Sequence, residues 1–135
     1  MCTRPDICYT VGLASRYQSN PGRDHWKAVK RIFRYLKGTV DYSLCYSGND
    51  LHLNGYIDVD WGGDRKNRKS TSGYAFLLNG GVISWKSKKQ TCTALSTMEA
   101  EFVACASAVQ EAVWLKRFFE HLDVAKNSHG SMIVH

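Results

Sequence analysis

Asn79-Gly80, set between GYAFLL and GVISW, limits what this chain can fold into more than any other dipeptide in it. A two-residue hairpin turn demands positive φ at both corner positions, which asparagine and glycine accept and bulkier pairs resist. The runs on either side are therefore predicted to be paired antiparallel strands. Upstream, YSLCY and LHLNGYID alternate apolar and polar residues around a turn at SGND, so strand periodicity begins near residue 42. SMIVH, residues 131–135, reads as the start of a further strand.

Helical spacing occupies most of the remainder. TRPDICYTVGLASRYQ places Thr3 and Asp6 as a capping box with Pro5 in the first turn, predicting a short helix that ends near Tyr17. From His25 to Lys37, Trp26, Val29, Phe33 and Leu36 share one face, and Gly38 stands where a C-terminal cap would. Beside that face Lys27, Lys30, Arg31, Arg34 and Lys37 fill a stripe about 120° wide. ALSTMEAEFVACASAVQEAVWLKRFFEHL predicts one long helix opened by the capping box Ser96 to Glu99, with Met98, Phe102, Cys105 and Val109 at its buried centre.

Composition narrows the class. The 135 residues suffice for one modest domain, or one small domain with part of another, and 44% hydrophobic content lies in the globular range. No apolar run approaches membrane-spanning length, and MCTRPDICYT lacks the apolar core of a signal peptide, so the chain reads as intracellular and soluble. Five cysteines without a CxxC pair argue against structural zinc and a disulfide framework. The net charge of +6 is uneven: residues 1–50 hold eight Lys/Arg against four acids, residues 51–90 seven against three, and residues 91–135 three against five. A basic excess in the first two thirds suits a polyanion such as nucleic acid, and suits a merely solvated surface as well.

Against that background GYIDVDWGGD, residues 55–64, spends three acids in ten positions. Asp58 and Asp60, two apart on a strand, leave the same face at a separation of roughly 7 Å and could share a cation. Gly62 and Gly63 allow a sharp turn that would put these carboxylates at a strand end. Asp60 and Asp64 serve equally well as turn residues. On the long helix Glu99 and Glu101 cannot point the same way. Glu99 has a use in the cap, whereas Glu101 lies in line with Ala104, Ala108, Ala112 and Phe119, so Glu101 is assigned to chemistry.

These motifs support a resemblance. GYIDVDWGGDRKNRKSTSGYAFLLNGGVISWKSKKQTCTALSTMEAEFVACASAVQEAVWLK closely resembles the ribonuclease H domain of copia-type LTR retrotransposon Pol polyproteins. RPDICYTVGLASRYQSNPGRDHWKAVKRIFRYLKGT resembles the tail of the reverse transcriptase that precedes it. The resemblance implies an α/β fold, a ribonuclease H-like mixed β-sheet with flanking helices, with a helical reverse transcriptase segment over 1–47 and the ribonuclease H-like part over 48–135. It implies Mg²⁺-dependent hydrolysis of the RNA strand of an RNA–DNA hybrid. Asp58 and Glu101 would be catalytic, and Asp58, Glu101 and the more variable Asp60 would bind two Mg²⁺ ions. It also implies the rest of the Pol polyprotein as a partner, no membrane association, and a cytoplasmic, virus-like-particle setting.

The family's third and fourth ligand positions would fall beyond His135, so the chain is expected to be an inactive fragment of such an enzyme. The rival expectation is a nucleic-acid-binding remnant without catalysis. It rests on the basic helix 25–37, on Arg65, Lys66, Arg68 and Lys69, and on Trp85, Lys86, Lys88 and Lys89, where the tryptophan would stack on a base or ribose while lysines meet phosphates.

Overall fold

The computed structural model describes residues 3–46, 52–64, 66–122 and 132–135. The chain divides into two compact units, Met1–Leu44 and Cys45–His135.

The first unit is helical. A single 3₁₀ turn at Pro5–Ile7 leads into α1 (Cys8–Ser15), and α2 spans Arg23–Gly38. The expected Thr3–Asp6 capping box does not form, because the turn starts without a side-chain cap. Asp6 instead faces Arg4, whose Nη2 donates to its Oδ2 at 2.8 Å, and accepts from the Tyr35 hydroxyl at 2.7 Å. Arg4 Nη2 also reaches Thr39 Oγ1 at 2.7 Å, so one carboxylate and one guanidinium tie the start of the unit to the end of α2. Gly38 is the last helical residue, and Thr39 holds the cap position. The inward strip of α2 is His25, Val29, Ile32 and Leu36, all half-buried. Trp26 and Phe33, expected on that face, are 57% and 66% exposed. They sit at its rim, and a neighbour as short as α1 covers only a narrow strip.

The second unit is an α/β arrangement: a four-stranded mixed sheet in the order β3-β2-β1-β4, crossed on one face by a long helix. The strands are β1 (Leu53–Asp64), β2 (Lys69–Leu78), β3 (Gly81–Lys89) and β4 (Met132–Val134), with α3 (Thr97–His121) between the last two. β1 and β2 pair antiparallel, as do β2 and β3, while β4 lies parallel to β1. The Asn79-Gly80 turn forms as expected, with φ of 50° and 81°. YSLCY does not: residues 42–46 are outside the sheet, although the Tyr46 hydroxyl donates to the Val82 carbonyl at 3.0 Å. The SGND turn lies outside the described residues.

The core is Leu53, Phe76, Ala108, Ala112 and Leu115, with Ile57, Tyr74, Ile83 and Phe119 packed around it. α3 therefore buries a stripe of small residues, Ala100, Ala104, Ala108 and Ala112, followed by Leu115. The expected centre of Met98, Phe102, Cys105 and Val109 is exposed instead. Alanines let the helix backbone settle close on the sheet, where Phe76 already fills the available volume. Gln90 fixes the helix start: its Nε2 donates to Ser72 Oγ at 2.7 Å and to the Ala100 carbonyl at 2.9 Å. Ser96 caps the helix by accepting from the Glu99 amide, and the Glu99 carboxylate accepts from the Leu95 amide at 2.7 Å.

Candidate functional site

Strand pairing decides where the acids go. Leu53 and Ile57 face α3, so Tyr56, Asp58 and Asp60 occupy the opposite face of β1. Cross-strand rows run Tyr56–Ala75–Trp85, Asp58–Gly73–Ser87 and Asp60–Thr71–Lys89. Asp58 and Asp60 thus share one face and both are exposed. β1 does not stop at the glycines, and Asp58 lies well inside the strand. The chain continues through a bulge between Asp60 and Asp64, where Gly62 adopts φ 64° and its amide donates to the buried Ser70 hydroxyl at 3.1 Å. The Asp60 carboxylate lies over Gly63, in the space that a Cβ there would need.

Asp64 has a structural task. Its carboxylate accepts from the amides of Lys66 and Asn67 at 3.0 and 3.3 Å, accepts from Asn67 Nδ2 at 3.1 Å, and pairs with Lys89. These bonds shape the basic turn at Lys66–Arg68, in which Arg68 has φ 51°. Arg65 lies outside the described residues. Lys69, half-buried at the start of β2, donates to the Thr91 carbonyl.

Glu101 is exposed on α3, next to the buried Ala100 and one turn before the buried Ala104. It is exposed although it lies in line with the buried Ala104, Ala108 and Ala112, so it is not held against apolar surface as the helix-wheel argument required. α3 packs on the face of β1 opposite to Asp58. Among the described residues no group of three or more His, Cys, Asp or Glu side chains is placed to hold a metal ion. The donor set present here, Asp58 with Asp60 and a separate Glu101, does not fit a two-ion Mg²⁺ centre by itself, and no step through a metal is derived from it.

The period of a strand also divides Trp85 from its neighbours. Lys86 pairs with Tyr74 and Lys88 with Ser72, so both lie on the α3 side, while Trp85 and Lys89 lie on the other. Lys86 Nζ stands 5.9 Å from the centroid of the Tyr74 ring. Burial, with the Glu111 carboxylate adding to it, pushes the Tyr74 hydroxyl up to about 12. A tryptophan and three lysines acting on one phosphate path is therefore not what β3 offers.

Among the described residues, α2 carries a strongly basic surface. At about 100° per residue, Lys37, Lys30, Arg23, Arg34, Lys27 and Arg31 follow one another around the helix, with Trp26 and Phe33 along the same arc, which is roughly 160° wide. All eight are exposed. Asp24 lies at the edge of that arc and pairs with Lys27 at 2.9 Å, both side chains open to water. The sequence already held this signal: counting Trp26 and Phe33 with the cations, instead of with Val29 and Leu36, makes the arc a basic surface interleaved with aromatics.

Comparison with known proteins bears on the family. The chain is 51% identical over 129 residues, 96% of its length, to the retrovirus-related Pol polyprotein from transposon TNT 1-94 of Nicotiana tabacum. It is 42% identical over 132 residues to the Pol polyprotein from transposon RE2 of Arabidopsis thaliana. A secreted RxLR effector protein, number 161 of Plasmopara viticola, is 51% identical over 114 residues, which cover 84% of this chain and 80% of that protein. The chain belongs to the copia-type retrotransposon Pol family. This Pol-derived chain spans 10% of the tobacco polyprotein and 9% of the RE2 polyprotein. No family model and no solved structure matches it. The resemblance carried by D-x-D-W, RKSTSGY and EAE is thus borne out for a retrotransposon Pol fragment, and the Pol sequences place no finer activity on the fragment.

Proposed function

We propose that this Pol fragment binds nucleic acid through the exposed face of α2, and that its second unit is the ribonuclease H-like part of the polyprotein. The single observation that carries the binding reading is the arc of six cations and two exposed aromatics on α2, with one acid at its edge. Cations meet phosphates at any sequence, and Trp26 and Phe33 supply flat apolar surface for bases or riboses. An RNA–DNA hybrid is the family's ligand and the one to test first. Hydrolysis, with Asp58 and Glu101 as catalytic carboxylates and Mg²⁺ as cofactor, belongs in this reading to longer Pol chains that add further carboxylates. Glu99, whose carboxylate accepts from the Leu95 amide as part of the helix cap, is left out of that set.

Titrating the chain with a labelled RNA–DNA hybrid over a range of salt tests both halves. Binding should weaken steeply with salt, and replacing Lys30, Arg34 and Lys37 together should flatten the log–log slope by up to about three, since each neutralised phosphate contributes about −0.9 on duplex DNA. The equivalent triple replacement of Lys86, Lys88 and Lys89 should change the slope less, because β3 sends them to different faces. With Mg²⁺ added, the hybrid should stay uncut. A slope indifferent to the α2 cations would end the binding reading, and robust Mg²⁺-dependent cleavage would show that Asp58, Asp60 and Glu101 suffice.

A further inference from the structure

The fold uses Gln90 for its amide nitrogen alone. The residue is 5% exposed, and its Nε2 donates both to Ser72 Oγ at 2.7 Å and to the Ala100 carbonyl at 2.9 Å. Turning the amide over would set its oxygen against the Ala100 carbonyl, which can only accept, so the orientation is fixed. Oε1 is left buried without a hydrogen-bond partner among the described residues. A buried acceptor in that condition is costly unless something supplies a donor.

Gln90 lines a cavity of about 160 Å³ between α3 and the β2–β3 side of the sheet, together with Ser72, Lys86, Lys88, Val103 and Ser107. Lys86 and Lys88 leave the α3 side of β3 roughly 7 Å apart, and both are exposed. Among the described residues no acid lines the cavity. Glu111, which acts on the Tyr74 hydroxyl, accepts from the Ser84 hydroxyl at 2.6 Å, and Lys89 is paired with Asp64. Ser72 accepts from Gln90 and so keeps its own hydrogen to donate.

We propose that this cavity binds a phosphate ester carrying a free hydroxyl group. The phosphate lies between the Lys86 and Lys88 ammoniums and takes the Ser72 hydrogen, while the ligand's hydroxyl donates to Gln90 Oε1. A bare phosphate at the lysines leaves Oε1 without a donor, and a neutral polyol leaves the lysines without an anion. At about 30 Å³ per water the volume equals about five waters, which admits a phosphate with a short hydroxylated chain and leaves no room for a base beside them. A free sugar phosphate and the phosphorylated end of an RNA strand both present that chemistry. The site belongs to the second unit and does not depend on the binding face of α2.

The test titrates the full chain with ribose 5-phosphate and follows the Gln90 side-chain amide and the Ser107 backbone amide by NMR. Both should shift saturably, and inorganic phosphate or ribose alone should bind at least about tenfold more weakly. Lys86→Gln with Lys88→Gln, at exposed positions, should weaken ribose 5-phosphate binding at least about tenfold and leave the far-UV circular dichroism unchanged. Ser107→Leu, which fills the cavity, should abolish the shifts; the lysine pair serves if that variant misfolds. An oligoribonucleotide with a terminal phosphate, added to a chain in which Lys30, Arg34 and Lys37 are replaced, identifies the source. It moves the Gln90 signals at lower concentration than ribose 5-phosphate if an RNA end is the ligand, and at higher concentration if the free compound is. No shift at Gln90 with ribose 5-phosphate, equal affinity for inorganic phosphate, or an affinity indifferent to the lysine replacements overturns the proposal.

Discussion

Asp6 shows how one side chain can hold a small helical unit together. The Arg4 guanidinium, bonded to it most directly, and the Tyr35 hydroxyl hold its carboxyl down from 3.8 to about 2, against the opposing effect of burial. Its folded value is depressed, so the stability it contributes is present above the ordinary carboxyl range and is lost as pH falls through about 2. Carboxyl NMR titration should place the Asp6 midpoint near 2, and Arg4→Met should move it up toward the ordinary value. At Gly55 the constraint is steric: a Cβ would stand 2.6 Å from Cε1 of Phe76, a ring with no exposure. Gly55→Ala should therefore destabilise the second unit by about 1–3 kcal/mol in urea unfolding, as overpacking does.

At the scale of elements, α3 offers two faces with opposite expectations. Ala104→Leu forces extra volume between helix and sheet and should cost about 1–3 kcal/mol. Met98→Ala removes as many heavy atoms from an exposed position, yet it should change stability by less than about 0.5 kcal/mol. Equal effects from the two would mean that the buried face has been misassigned. The sequence made the length of α3, its Ser96 cap and the Asn79-Gly80 hairpin readable, because each depends on local backbone chemistry. It made Asp58 and Asp60 readable as neighbours on one face for the same reason. The burial of α3 was not readable locally. Apolar size pointed to Met98 and Phe102, while the sheet selected alanines, and only the pairing of β1 with β2 reveals which face Phe76 fills. The same limit hid the opposed directions of Trp85 and Lys86, which appear only once WKSKK is known to be strand.

For the molecule as a whole, the two units differ sharply in how much they bury. Among the described residues, Ile7 is the buried hydrophobic residue of the first unit, whereas the second holds Leu53, Phe76, Leu115 and the alanine stripe. A unit of 44 residues with so little core has few contacts to resist local opening. Native-state hydrogen exchange should find the amides of α2 protected much less than those of β2. Uniform protection across both would show that the first unit draws stability from more than its own packing.

The parallel pairing of β4 with β1 carries a consequence for how the chain reaches its native state. Leu53 lies beside Met132, and the amide of Ile57 donates to the His135 carbonyl at 3.1 Å while the His135 amide donates to Gly55 at 2.8 Å. The hairpins of β1, β2 and β3 close over short stretches of chain, but this ladder joins residues separated by nearly the whole second unit. Its loop-closure entropy must be met before any of its three paired positions gives a return. Docking of β4 should thus be the late, slow event in refolding, and the central strand should spend that interval with a bare edge open to the wrong partner.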